Sequence, residues 1–263
     1  MNTVSNKLDT AELEERVKGM YREVALEPEH EFHFETGRAL AERLGYSPDD
    51  LDRIPAGAIE SFAGVGCFQD LAAISAGEAV LDLGSGSGMD SFIAALRTGS
   101  DGRVVGVDMT DEQLAKSRQL AGEAGFDQVE FRTGYIESPP VDEAGFDCVI
   151  SNGVVNLSPD KPAVFAAAAR ALRSGGRLAL ADIVSARQLP EGVTCDASLW
   201  AACIGGAMQH DAYLQAIEGA GFEIETWREN DAYRFLSEQA DNATQKYGVT
   251  SISLLARRIG DQG

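Results

Sequence analysis

Among the 263 residues, no stretch approaches the ~20 consecutive apolar positions that a membrane-spanning helix requires. Residues 1–10 lack the basic-then-apolar order of a secretory leader, so the chain is expected to be cytoplasmic. The four cysteines, Cys67, Cys148, Cys195 and Cys203, form no CxxC pair, which indicates neither a zinc knuckle nor a disulfide framework. Positive charge is scarce: 22 basic against 42 acidic residues leave a net charge of −20. Such a field repels phosphate backbones and anionic headgroups, so neither nucleic acid nor a membrane surface is an expected partner. His30 and His33 lie close in sequence but have no third ligand and no His-Glu-x-x-His pattern, so no metal site is expected. There are no internal repeats and no low-complexity tracts.

What is present reads as an α/β chain, with 44% hydrophobic residues to build a core. Leu13, Val17, Met20, Tyr21 and Val24 recur at helical spacing and predict a helix over 10–25. A second helix is expected over 36–45, closed by Gly45, and a third starts at Ser47-Pro48-Asp49-Asp50. Together they make an N-terminal helical cap, residues 1–60, before a main domain over 61–263. There, strands are predicted at 79–83, 103–107, 129–132, 146–150, 177–183, 222–227 and 251–257, with helices over 89–97 and 162–173. Thr110-Asp111-Glu112-Gln113 has the form of a capping box and opens a further helix. The alternation calls for a mostly parallel seven-stranded sheet covered on both faces, with an antiparallel last strand. Residues 184–221 are longer than a crossover needs and offer room for a substrate site.

The informative segment is Asp82-Leu83-Gly84-Ser85-Gly86-Ser87-Gly88-Met89-Asp90, a glycine loop between a strand and a helix. A dinucleotide fingerprint would place glycine at 89, where Met89 stands. Asp82 and Asp90 flank the loop and would oppose a pyrophosphate at the helix N-terminus. Carboxylates there suit a cofactor carrying an amino group and a cationic sulfur. Asp108 ends the second strand, where a carboxylate can accept two ribose hydroxyls.

These residues resemble motif I of the class I methyltransferases, whose fold is Rossmann-like. Gly106-Val107-Asp108-Met109, Phe146-Asp147-Cys148-Val149-Ile150-Ser151-Asn152 and Arg173-Ser174-Gly175-Gly176-Arg177 are similar to further motifs of that family. The resemblance implies S-adenosylmethionine as cofactor and a small-molecule methyl acceptor as partner. It places Asp82, Gly84, Ser85, Gly86, Gly88, Asp90 and Gln113 around the cofactor. Asp108 is expected on the ribose, and Met109 against the adenine. Gly134, Tyr135, Ile136 and Glu137 are expected at the adenine edge, and Ser151 and Asn152 near the sulfonium.

Several segments resemble arsenite methyltransferases more narrowly, among them Ser61 to Gly66, Ser151 to Lys161 and Leu199 to Ala207. That family holds trivalent arsenic between thiolates, soft ligands on a soft ion. The resemblance aligns two of the thiolate positions with Val65 and Gly153, and only Cys203 matches directly. Cys67, two residues beyond Val65, is a candidate substitute. Asn156, Cys203 and Trp200 are expected to shape the acceptor pocket, with Trp200 as a lid. The expected function is therefore methyl transfer to a small organic metabolite, with arsenite as the alternative acceptor. A non-catalytic adenosylmethionine-binding protein is the alternative of another class.

Overall fold

A computed structural model describes residues 8–195, 200, 204–236 and 238–260. The chain enters through α1 (Thr10–Leu26), whose first turn is capped by Asp9 accepting from the amides of Ala11 and Glu12. The short helices α2 (Gly37–Leu44), α3 (Pro48–Leu51), α4 (Ala56–Glu60) and α5 (Gln69–Ala72) follow. Gly45 closes α2 in the left-handed conformation at φ 104°, which a residue without Cβ adopts at no steric cost.

Next come β1 (Ala79–Leu83), α6 (Met89–Thr98), β2 (Arg103–Asp108), α7 (Asp111–Ala124) and β3 (Val129–Thr133). Then come β4 (Phe146–Asn152), α8 (Lys161–Ala171), β5 (Leu172–Ser185) and α9 (Glu191–Thr194). The described chain ends with β6 (Met208–Gln209), α10 (His210–Gly219), β7 (Phe222–Glu229), α11 (Glu238–Tyr247) and β8 (Val249–Arg258).

The sheet has eight strands in the order β3-β2-β1-β4-β5-β8-β7, with β6 paired to the end of β5. Strands β1 to β5 pair in parallel, and β8 runs antiparallel to both β5 and β7. The expected α/β sheet is thus present, with its strand-order reversal between β1 and β4. One two-residue strand is added, because Met208 and Gln209 pair with Val184 and Ser185. β1 and β4 are apolar runs buried on both faces, as parallel strands covered by helices must be.

Three details depart from the sequence reading. β5 begins at Leu172 and not at the predicted Arg177, so the Arg173 to Gly176 segment is absorbed into it as a break in register opposite Phe146 and Cys148. α11 fills the β7–β8 connection, for which the sequence reading gives no element. No capping box forms on α7: the Thr110 side chain makes no cap hydrogen bond, its hydroxyl and amide are engaged with Asp108, and the Gln113 side chain is bonded to Tyr21 and Ser87.

The cap helices are not a separate layer. Leu40, Leu51, Ile59 and Phe62 share one core with Phe92 and Ile93 of α6 and Leu114 of α7. No helix among the described residues is long and apolar enough to cross a membrane, and none of their His, Cys, Asp or Glu side chains groups into a metal site.

Candidate functional site

Above the carboxyl ends of β1, β2 and β4, at the strand-order reversal, lies a cavity of about 520 Å³. That is where open α/β sheets hold ligands, because neighbouring connections leave there in opposite directions. Its floor is the glycine loop. Gly84, Gly86 and Gly88 all have positive φ (77°, 52° and 97°), which fixes glycine at each. A Cβ on Gly84 would strike Val154, and one on Gly88 would strike Phe131 and Phe92. Gly86 differs: a Cβ there would have Gln113 Oε1, at 3.7 Å, as its nearest neighbour, so this glycine leaves open space beside the loop. Gly106 on β2 lets the loop lie close, since a Cβ there would meet Phe131 and Ser85.

Asp108 ends β2 with both carboxylate oxygens oriented by backbone amides. Gly86 N–H donates to Oδ2 at 2.9 Å and Thr110 N–H to Oδ1 at 2.8 Å. The Thr110 hydroxyl is a further partner of this carboxylate, which lines the cavity. Asp82, behind the loop, accepts from Ser91 Oγ at 2.6 Å. Asp90 accepts from Tyr46 Oη at 2.7 Å, Gln69 Nε2 at 2.8 Å and Asn152 Nδ2 at 3.1 Å. Asn152 also accepts from Val65 N–H at 2.8 Å, so the ends of β4 and the 61–68 segment are tied together.

Burial raises the pKa of all three aspartates. Asp82 reaches about 8, because the charge of Asp90 adds to its burial. Every charged side chain among the described lining residues is a carboxylate: Glu14, Asp82, Asp90, Asp108, Glu137 and Asp160. Ser85 Oγ is buried with no hydrogen-bond partner among the described residues. The walls therefore present buried acceptors and open glycine backbone, a chemistry that suits a ligand rich in hydroxyl donors and positive charge.

The roof is α1, through Leu13, Glu14, Val17 and Tyr21. Tyr135 Oη donates to Glu14 at 2.7 Å, and Lys18 bonds the same carboxylate at 2.6 Å, latching α1 to the loop after β3. Gln113 Nε2 donates to the Tyr21 carbonyl at 2.8 Å, while its oxygen accepts from Ser87 Oγ. One side chain thus joins roof to glycine loop, which is why it makes no capping box. The amphipathic pattern of α1 signals a buried face, but carries no sign of what that face covers.

The structure brings Asp82, Gly84, Ser85, Gly86, Gly88, Asp90, Asp108, Met109, Gln113, Gly134, Tyr135, Ile136 and Asn152 to this one cavity. Ser151 is not in its lining; the hydroxyl turns onto the Leu83 carbonyl at 2.8 Å. Asn156 and Trp200 lie behind the wall and do not line the cavity. Trp200 is 6% exposed, with its indole N–H donated to Thr194 O at 2.9 Å, so it is a packed side chain and not a lid over this cavity. Cys203 lies outside the described residues.

Cys67 does not approach the cavity. It borders a second cavity with Gln69, Asp70 and Arg228, and its carbonyl is held by Arg228 and Ser253. Burial pushes its thiol up to about 11, far from the thiolate a soft ion needs. Val65 and Gly153, by contrast, face one another: a Cβ on Gly153 would sit 3.1 Å from Val65 Cγ1.

Comparison with known proteins gives a consistent outcome. Residues 74–235 match a family model described as a methyltransferase domain. The arsenite methyltransferase of Halobacterium salinarum is 40% identical over 228 residues, covering 85% of this chain and 57% of that protein. The nocamycin O-methyltransferase of Saccharothrix syringae is 38% identical over 112 residues, covering 43% of this chain and 40% of that one. The crystal structure of an arsenic(III) S-adenosylmethionine methyltransferase from Chlamydomonas reinhardtii matches with a TM-score of 0.64 at 28% identity, over 86% of this chain and 75% of that chain. The chain spans about half the length of the curated relatives it matches.

Proposed function

The chain belongs to the methyltransferase-domain family, and from that premise we propose that it transfers the methyl group of S-adenosylmethionine to a small organic acceptor. The observation that carries the cofactor assignment is Asp108, whose carboxylate is oriented by two backbone amides at the rim of the Gly86 opening. Asp82 and Asp90, buried without a cation in the cavity lining, fit the amino and sulfonium charges of that cofactor. The apolar Ile136, Leu157 and Met109 fit its adenine.

When bound, S-adenosylmethionine supplies an electrophilic methyl on a cationic sulfur. The chain's own part is to bind, align and exclude water. α1 roofs the cavity, Asn152 holds the end of β4 to the 61–68 segment, and the tied carboxylates keep positive charge in place. Displacement at a methyl group needs little proton transfer once nucleophile and carbon are aligned, so positioning lowers most of the barrier. Carboxylates on every side disfavour an anionic acceptor. The −20 charge likewise opposes a nucleic acid partner. We place the reaction in the cytoplasm, where a cysteine such as Cys67 remains a thiol.

Arsenite is the second reading, and the likeness to arsenite methyltransferases over most of the chain is what favours it. The residues at two of the aligned thiolate positions, Val65 and Gly153, favour the organic acceptor instead. Release of S-adenosylhomocysteine across a panel of hydroxyl, amine and thiol acceptors, with arsenite included, discriminates the readings. Turnover of an organic acceptor with weak turnover of arsenite is expected. Val65→Cys with Gly153→Cys should then raise arsenite affinity, and Cys203→Ser should undo the gain. Efficient arsenite turnover by the unaltered chain overturns the organic reading. Tight cofactor binding with no turnover of any acceptor would leave a binding protein.

A further inference from the structure

The loop between β4 and α8 forms one side of the cavity with Val154, Leu157 and Ser158. Its other side rests on ionisable groups withdrawn from solvent. Lys161 is 3% exposed, and its ammonium donates to the carbonyls of Asn156 at 3.1 Å and Ser158 at 3.0 Å. It also lies over the Trp200 ring, 4.8 Å from the centroid. Asp182 on β5 is fully buried and accepts from Asn156 N–H at 3.2 Å, Ile183 N–H at 2.9 Å and Tyr213 Oη at 2.6 Å. Asn156 is therefore gripped at its amide by one buried carboxylate and at its carbonyl by one buried ammonium. Gly206 closes the third side, since a Cβ there would stand 1.8 Å from the Asn156 carbonyl oxygen.

Helix propensity does not account for the lysine. It is the first residue of α8, where the helix dipole disfavours a positive charge. A buried cation is costly unless paired and hydrogen-bonded, and burial lowers its pKa to about 8. The interaction it makes there is with loop carbonyls, not with a helix terminus or a surface partner.

We propose that Lys161 is a positioning residue whose charge holds the 153–160 loop in the conformation that closes the cavity on the cofactor. The ligand half of this proposal rests on the methyltransferase reading; the loop half does not. The groups facing the ammonium are Asp182 of β5, with Tyr213 of α10 bonded to it, Glu137 of the loop after β3, and the Trp200 ring. Carboxylates around it raise its pKa and burial lowers it, so the charge is lost as pH rises through about 8.

The test follows Trp200 emission in a Trp227→Phe background, amide exchange over 153–160 and adenosylhomocysteine affinity, each from pH 6 to 10. With Lys161 present, emission should shift with a midpoint near 8, amide exchange corrected for its intrinsic pH dependence should accelerate, and affinity, taken relative to Lys161→Arg at each pH so that the Asp82 titration cancels, should fall on the same midpoint. Lys161→Met should remove the emission shift, speed exchange at every pH and weaken the ligand about tenfold. Lys161→Arg, charged throughout, should restore slow exchange and flatten the profile. Wild-type exchange and affinity in Lys161→Met, or an unshifted profile in Lys161→Arg, overturns the proposal. No adenosylhomocysteine binding at any pH refutes the methyltransferase reading alone, because emission and exchange still judge the loop.

Discussion

Asp82 is buried to 2% exposure beneath the glycine loop, with Ser91 as its hydrogen-bond donor and Asp90 and Asp108 as its charged neighbours. Its pKa of about 8 means that the ligand-free fold carries this carboxyl protonated at neutral pH. The raised value contributes stability below the unfolded pKa near ~3.9 and loses it as pH rises through about 8. A ligand bearing an amino group and a sulfonium reverses the preference and favours the carboxylate. Adenosylmethionine should therefore bind with release of a proton near pH 7, and its affinity should rise between pH 6 and 8. Calorimetry in buffers of different ionisation enthalpy measures that release, and Asp82→Asn should abolish it. Heats independent of buffer in the unaltered protein would mean that Asp82 does not face the ligand's charge.

At the scale of elements, the polar ties of the α1 roof include the Glu14–Tyr135 latch, Gln113 on the Tyr21 carbonyl, Lys116 on the Ala25 carbonyl, Ser61 on the Val24 carbonyl and the Arg22–Glu112 ion pair. Gln113→Ala removes the side chain that binds both α1 and the Ser87 hydroxyl. Two lost hydrogen bonds at about 1 kcal/mol each predict a loss of up to tens-fold in adenosylmethionine affinity. Faster amide exchange over residues 10–26 should accompany it. Unchanged affinity with unchanged exchange would show that α1 does not roof the bound state. What the sequence makes legible here follows local physics. The glycine loop is readable because a positive φ at Gly84, Gly86 and Gly88 admits no other residue cheaply. Gln113 reads as part of a capping box because its actual partners, Tyr21 and Ser87, are distant from it in sequence. α11 escapes a sequence reading because Glu238 to Tyr247 is a polar stretch whose apolar positions are only the small Ala240 and Ala243 and the terminal Tyr247. The start of β5 is displaced in that reading because a register break at the glycine pair looks like a turn.

For the molecule as a whole, the acid excess is a field and not a set of contacts. Ion pairs such as Arg228–Asp70 and Arg257–Glu225 lie at the surface and contribute little individually. A charge of −20 repels itself, and the screening length falls from about 10 Å at 0.1 M salt to about 3 Å at 1 M. The melting temperature should rise over that range of sodium chloride in differential scanning fluorimetry. A fall would mean that the surface pairs outweigh the repulsion. The mostly parallel sheet with an antiparallel last strand is legible at this scale, because buried apolar runs dictate parallel strands. The side chains behind the cavity wall are not: Asn156 and Trp200 were expected to face an acceptor, whereas the described structure packs them inward around Lys161.

The claim on which these readings converge is that the cavity above the glycine loop holds S-adenosylmethionine by its ribose at Asp108. Calorimetric titration of adenosylmethionine into the unaltered protein and into Asp108→Ala measures it directly. A charged hydrogen bond is worth roughly 1.5–3 kcal/mol, so the variant should bind about tenfold to a hundredfold more weakly while remaining folded. Equal affinity in the two proteins would contradict the account and take Asp108 out of the site.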